Sequence, residues 1–234
     1  MLARLFEALL ATWPPAETRR QDGWTLRRGD GAGNRVSAAT NDGGNGDIAA
    51  AESAMRAGGQ RPTFMIRPGD ETLDRRLEAL GYLLAAPTLI VAAAPGAVAA
   101  DGPDERAILG PAPLAVMREI WEAGGVGASK LAVMARVAEP KTYLLGRIGD
   151  TPAACAFAAC DHRIGMLQAL EVAAPFRRHG LGTALTRAGA GWAATQGATT
   201  YALAVEAANA PARAAYGRLG MEQVATYHYR LAPA

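Results

Sequence analysis

The segment that most restricts this chain is Val172-Ala-Ala-Pro-Phe-Arg-Arg-His-Gly-Leu-Gly-Thr183. An apolar, β-forming stretch runs into it and an alanine-rich stretch leaves it, so a strand ends and a helix begins across one short loop. Successive backbone N–H groups in such a loop converge, and the helix N-terminus adds roughly half a positive charge. Gly180 and Gly182 let a bulky anion approach the backbone with no Cβ in the way, and Arg177 and Arg178 supply counter-charge. The residues read as a pyrophosphate cradle. It is not a Walker A loop, because no GxxxxGK[ST] string occurs, and its RxxGxG spacing is not the dinucleotide GxGxxG.

The elements around the loop set the fold class. Strands are expected at 24–28, 34–40, 62–66 and 82–93, with helices at 1–13, 47–57 (Asp47 as N-cap) and 71–80. Residues 94–103 are rich in Ala, Gly and Pro and read as a linker. Helices at 114–122 and 129–137 follow, then strands at 142–147, 153–160 and 165–172, with Gly149-Asp150 as a tight turn. A helix at 181–196, a strand at 200–205, a helix at 210–219 and a strand at 222–230 complete the chain. Helices, an antiparallel meander and then β-α-β-α-β predict an α/β fold (α+β, mixed sheet). The expected partition is 1–93, the linker 94–103, and 104–234.

Composition narrows the function classes. The 24 basic and 22 acidic residues leave a charge of +2, from which neither nucleic-acid nor membrane affinity can be argued. No run of about 20 apolar residues exists, and Glu7 interrupts the apolar face of the first helix, so a soluble, cytoplasmic protein is expected. Aromatics are only 6% and alanine carries much of the apolar content, so helices should pack closely on small side chains. Cys155 and Cys160 are five apart and would face opposite sides of a strand, which speaks against a disulfide. His162, His179 and His228 share no metal-ligand spacing, and no metal site is expected.

One internal echo stands out. Leu77-Glu-Ala-Leu80-Gly81-Tyr82 and Tyr216-Gly-Arg-Leu219-Gly220-Met221 each end a helix in Leu-Gly before a large apolar residue and a strand, and each helix follows a strand. A structural repeat accounts for this, as does a common helix C-cap. Arg28-Gly-Asp-Gly31-Ala-Gly33 also fits RxxGxG, but Asp30 would place a negative charge in an anion site. The stretch after it reads as strand, so a hairpin turn is expected there.

The segment around Arg177–Gly182 closely resembles the acetyl-CoA loop of the GNAT superfamily of N-acetyltransferases, [QR]xxGx[GA] after a strand. The resemblance continues in order through Trp192-Ala-Ala-Thr-Gln-Gly-Ala198, Leu203-Ala-Val205 and Asn209-Ala-Pro-Ala-Arg-Ala-Ala-Tyr216, and covers about 130 residues. It implies an acyl-CoA N-acyltransferase fold, here in two GNAT-like halves, with the first degenerate and non-catalytic. It implies acetyl-CoA as cosubstrate. Backbone groups at Leu170 and Val172 would pair with the pantetheine arm, and Arg177, Arg178, His179, Gly180, Leu181, Gly182 and Thr183 would hold the pyrophosphate. Asn209 lies where the family uses an amide on the cofactor, and Tyr216 matches the position that protonates the departing thiolate; a phenol with a pKa near 10 suits that task.

The base that accepts the amine's proton is first Glu171, at the end of the strand, and second Glu206; either also reads as a solvated strand-end carboxylate. The stretch 114–137 would line the acceptor site, with Glu119, Trp121 and Glu122 offering a surface for a cation and Gly124–Gly127 either a closing loop or a plain connection. The acceptor is expected to be the amine of a small molecule or of a protein, with a homodimer possible and direct transfer in a ternary complex. The rival expectation is an acyl-CoA sensor or partner-binding module without turnover.

Overall fold

The computed structural model describes residues 2–43, 46–102 and 104–233. Its elements in chain order are α1 (Leu2–Ala11), β1 (Glu17–Gln21), β2 (Trp24–Arg28), α2 (Asn34–Ser37), β3 (Thr40–Asn41), α3 (Ile48–Ala57), β4 (Thr63–Ile66), α4 (Glu71–Ala79) and β5 (Leu83–Ala93). There follow α5 (Pro95–Val98), β6 (Ala107–Gly110), α6 (Ala115–Ala123), α7 (Ala128–Arg136), β7 (Lys141–Ile148), β8 (Thr151–Asp161), β9 (Ile164–Val172), α8 (Leu181–Thr195), β10 (Thr200–Glu206), α9 (Ala210–Arg218) and β11 (Glu222–Leu231). The class is α/β with parallel and antiparallel pairing in one sheet. Among the described residues no helix is long and apolar enough to cross a membrane.

Two compact units share the chain. The first gathers the N-terminal stretch to Trp13, Ile90–Val205 and Asn209–Val224; the second holds Pro14–Leu89, Glu206–Ala208 and the C-terminal stretch from Ala225.

In the first unit β6, β7, β8 and β9 pair antiparallel in succession, and β10 joins β9 in parallel. The reversals sit at Gly149 (φ 57°) and His162 (φ 50°). Residues 153–160 of β8 are buried without interruption, because α1, α6 and α8 all pack on this strand. A strand covered on both faces cannot alternate apolar with polar, hence the run Ala-Ala-Cys-Ala-Phe-Ala-Ala-Cys. Helix α8 turns Leu181, Ala184, Leu185, Ala190 and Ala193 inward. It comes so near the sheet that a Cβ at Gly165 would stand 2.5 Å from Ala193 Cβ. Helix α1 docks through Leu5, Phe6, Ala8 and Leu9, and the buried Thr12 after it accepts a hydrogen bond from Gln168 Nε2 at 3.1 Å. In the stretch read as a linker, α5 packs against α8 and buries Val98.

In the second unit β1, β2 and β3 form an antiparallel sheet, and β4 pairs antiparallel with residues 228–231 of β11. Its core sets Trp24 against Phe64 at 5.1 Å and Phe64 against Tyr82 at 5.6 Å between ring centroids. Asp47 caps α3, with Oδ1 accepting from Ala49 N at 2.9 Å. One expectation is overturned here. Residues 34–37 are a single helical turn, α2, and only Thr40–Asn41 pair as strand. Gly33, at φ 102°, turns the chain so that Val36 buries completely, and propensity for an extended run yields to that contact. A helical turn therefore does follow the second RxxGxG string, yet Arg28 is bound by Glu17 at 2.7 Å and Asp30 at 2.6 Å, so its charge is already matched.

Both Leu-Gly helix ends adopt one geometry. Gly81 (φ 82°) and Gly220 (φ 74°) are left-handed. Tyr82 N donates to Leu77 O at 3.0 Å, and Met221 N to Tyr216 O at 3.1 Å. Leu77 and Tyr216 thus hold the same place in two Schellman-type caps.

Candidate active site

All groups described next lie in the first unit except Glu206. Strand β9 breaks its pairing near its end. Phe157 faces Gln168 and Cys155 faces Glu171, so Ala169 and Leu170 together oppose Ala156 alone, and Ala169 takes a left-handed φ of 47°. This is a β-bulge. On the other edge, the register with β10 runs from Ile164↔Thr200 to Leu167↔Leu203 and ends there, while β10 continues to Glu206. The two parallel strands therefore part at the bulge. Ala173 N donates to Ala153 O across β8 at 2.9 Å, so by alternation Val172 turns its backbone groups toward the opened edge. An extended amide-bearing chain can add there as a strand would.

The bulge needs a partner for its rotated carbonyl, and Trp121 supplies it. The indole Nε1–H donates to Ala169 O at 2.7 Å, and the ring is fully buried, 6.3 Å from Tyr143. The expectation that Trp121 helps form a cation-binding surface is therefore corrected: on α6 it occupies the inward stripe with Met117 and Ile120, while Glu119 and Glu122 are exposed. The Gly124–Gly127 turn is tied down, with Lys130 Nζ donating to Gly125 O at 2.9 Å and Val126 N to Trp121 O at 2.7 Å.

After Val172 a 3-10 turn, Ala174–Phe176, leads to Arg178 (φ 70°) and Gly180 (φ 80°), and Gly180 O opens α8 by accepting from Ala184 N at 2.9 Å. The first N–H groups of a helix have no intrahelical acceptor, which leaves those of Leu181, Gly182 and Thr183 at the loop. A Cβ at Gly182 would meet nothing nearer than Leu170 at 3.8 Å, so the approach to these groups is open. Leu181 contributes only backbone, since its side chain is buried. Arg178 and His179 are exposed, and His179 Nδ1 lies 2.9 Å from Arg177 O.

Arg177 folds back along β9, donating from Nε to Val172 O at 3.1 Å and from Nη2 to Glu171 Oε1 at 3.2 Å. Glu171 is half-buried, and its carboxylate lies directly over the Cα of Gly124, where no Cβ could stand. The loop arginine and the candidate base are thus in contact. A further arginine was not foreseen from the sequence. Arg106, just before β6, carries Nη1 3.4 Å from where a Cβ on Gly180 would be. It sits in a polar stretch next to the Ala/Gly/Pro-rich segment, with no motif to mark it; only the antiparallel β6–β7 pairing brings it to the loop.

The remaining candidates are spread more widely. Tyr216, on α9, is half-buried, and burial pushes its phenol up to about 12. Asn209 is the N-cap of α9, its Oδ1 accepting from Ala212 N at 3.2 Å, so the amide NH2 is the part left for a ligand. Glu206 is exposed at the end of β10 and belongs to the second unit. Cys155 and Cys160 are free and buried, and burial raises both thiols, Cys160 to about 11, so neither is a ready nucleophile. Among the described residues no cluster of three or more His, Cys, Asp or Glu could hold a metal ion.

Residues 114–221 match the sequence model of the Acetyltransferase (GNAT) family. No curated protein sequence matches the chain. Among solved structures, a GCN5-related N-acetyltransferase from Kribbella flavida superposes with a TM-score of 0.71 at 20% identity, covering 100% of this chain and 96% of the other. A conserved protein of unknown function from Staphylococcus epidermidis gives 0.70 at 11%, with 94% of each chain covered. A tandem GNAT protein from the clavulanic acid biosynthesis pathway gives 0.63 at 15%, covering 97% and 88%. At these identities the likeness is one of fold.

Proposed function

Residues 114–221 match the GNAT acetyltransferase family model, and from that premise we propose that the chain is an N-acetyltransferase moving an acetyl group from acetyl-CoA to a primary amine. The observation that carries the proposal is the bulge at Ala169–Leu170 placed directly upstream of the Arg177–Gly182 loop and the α8 N-terminus. The donor set fits acetyl-CoA: an open strand edge for the amides of its arm, then unpaired helix N–H groups, a Cβ-free approach at Gly182 and arginines for its phosphates. Acetyl-CoA supplies an activated thioester, whose carbonyl carbon takes the amine nitrogen as the C–S bond breaks. Leu170 and Val172 orient the arm through their backbone groups, and Arg178, Gly180, Gly182 and Thr183 hold the diphosphate. Asn209 contributes its amide NH2.

Glu171 accepts the amine's proton once Arg177 has turned to the phosphates. Tyr216 holds a proton for the sulfur. At about 12 its phenol lies above a thiol near 8.5, so complete transfer runs uphill and the group acts chiefly as a hydrogen-bond donor to the developing thiolate. The two buried cysteines favour direct attack over a covalent acetyl-enzyme. In this reading the first half of the sequence is a degenerate copy: Leu77 replaces Tyr216 in the shared cap.

The rival reading is a CoA-binding chain without turnover. The Arg177–Glu171 ion pair favours it, because the guanidinium occupies the carboxylate oxygen to which an amine would have to deliver its proton. Two measurements separate them. Acetyl-CoA at about 100 times its dissociation constant should add about 2.7 kcal/mol of stability, a shift of several degrees, in either case. Only the enzyme releases free thiol when supplied with primary amines. A shift without thiol release across a broad amine panel would leave the sensor; no shift at millimolar acetyl-CoA would end both.

A further inference from the structure

The guanidinium of Arg106 is held as a fork with one edge fixed and one edge offered. Asp104 takes the fixed edge, with Nε to Oδ1 at 2.9 Å and Nη2 to Oδ2 at 2.7 Å, and the Arg106 backbone N–H adds a third bond to Oδ1 at 3.0 Å. The main chain is fixed as well, since Arg147 N donates to Arg106 O at 2.9 Å. Among the described residues Nη1 has no hydrogen-bond partner, and it is this nitrogen that stands 3.4 Å from the Cβ position of Gly180. The bidentate pair strengthens both charges: the hydrogen bond to Asp104 raises the guanidinium's pKa, and that from Arg106 lowers the carboxyl's. A pre-oriented arginine loses less side-chain freedom on binding an anion than a free one does.

We infer that Arg106 is a further ligand of the cofactor's diphosphate, with Nη1 reaching the group cradled at Gly180, and that Asp104 is its positioning residue. The inference rests on the acetyl-CoA reading of the loop. It extends the loop's own set with a side chain that immediately precedes β6, more than seventy residues upstream of the loop. Arg177, by contrast, is engaged with Glu171 and Val172, so Arg106 is the arginine already set at the loop before any ligand arrives.

The test is titration calorimetry on the full chain with CoA, dephospho-CoA and S-acetylpantetheine, for the wild type and for Arg106→Ala, Arg106→Lys and Asp104→Asn. Arg106→Ala should weaken CoA and dephospho-CoA equally, by about tenfold or more, as expected for a charge-assisted hydrogen bond. S-acetylpantetheine, which lacks the diphosphate, should be unaffected. Arg106→Lys should recover part of the loss, and Asp104→Asn should weaken CoA severalfold while Arg106 is still present. A loss confined to CoA would assign Arg106 to the 3′-phosphate and overturn the diphosphate contact. An equal loss for S-acetylpantetheine would make the effect structural and overturn the inference. If the wild type binds CoA and Arg106→Ala binds it as well, Arg106 is no ligand and the loop reading survives; if the wild type binds none of the three, the loop reading itself fails.

Discussion

Replacing Trp121 by Phe tests the link between α6 and the bulge of β9. The substitution keeps a buried aromatic ring against Tyr143 but deletes the Nε1–H that donates to Ala169 O at 2.7 Å. That carbonyl has been turned out of the β8 ladder by a left-handed alanine, so the deletion strands a polar group beneath α6. An unsatisfied buried acceptor costs about 1–3 kcal/mol, and the smaller ring gives up packing worth about 1 kcal/mol more. The sum is about 3 kcal/mol, or roughly 6–12 °C in melting midpoint for a chain of this size. Urea unfolding followed by far-UV circular dichroism measures it, with hydrogen exchange at β9 amides reporting where the protection is lost. The bulge should loosen first, so the apparent KM for acetyl-CoA should rise before global stability fails. Ala169→Gly is the control: it relieves the left-handed strain and should be nearly neutral. If Trp121→Phe unfolds within about 0.5 kcal/mol of the wild type with β9 exchange unchanged, the indole does not hold the bulge, and the argument that α6 positions the opened strand fails.

Three further outcomes are expected. Tyr216→Phe should lower kcat by about 10- to 100-fold with KM unchanged, the worth of a hydrogen bond to a charged acceptor, and because burial pushes the phenol up to about 12, the wild type should show no loss of activity from Tyr216 ionisation below about pH 11 in a pH–rate profile. Gly165→Ala should destabilise the first unit by about 2 kcal/mol in urea titration, since the new methyl would stand 2.5 Å from Ala193 Cβ, itself fixed to the helix backbone. Asp74→Asn should destabilise the second unit by about 1–3 kcal/mol at pH 7. Burial opposes ionisation of Asp74, but hydrogen bonds from Arg230 Nε (2.6 Å) and His228 Nε2 (2.9 Å) still hold its carboxyl below the usual range. A folded-state pKa below the unfolded one gives stability present above about pH 4 and lost as pH falls through the folded value, so the gap between variant and wild type should close in acid. A gap that persists at pH 2 would refute the ion-pair origin.

Much of this was legible in the residues because local rules sufficed. The loop at Arg177–Gly182, the α8 start, the Asp47 cap and the two Leu-Gly helix ends depend on neighbours within a few positions, where glycine, capping side chains and helix periodicity decide the conformation. Other features resisted reading. The β1 strand, Glu-Thr-Arg-Arg-Gln, is polar on both faces, and only the Asp22-Gly23 turn, with φ of 50° and 80°, hinted at a hairpin. The 34–40 stretch looked extended until Val36 found a buried site that required a helical turn.

What the sequence by itself determined was the order of the elements from α6 to β11 and the residue types of the Arg177–Gly182 loop, because both follow from spacing along the chain. What tertiary structure alone decided was the bulge at an unremarkable alanine, the burial of Trp121 on a helix whose neighbouring glutamates face solvent, and the arrival of Arg106 at Gly180. Each depends on which strand lies beside which. A left-handed alanine is tolerated only where the register of β8 and β9 and a donor from α6 coincide, and an arginine beside a polar, motif-free stretch becomes a candidate ligand only when the fold carries it across more than seventy residues to the Arg177–Gly182 loop.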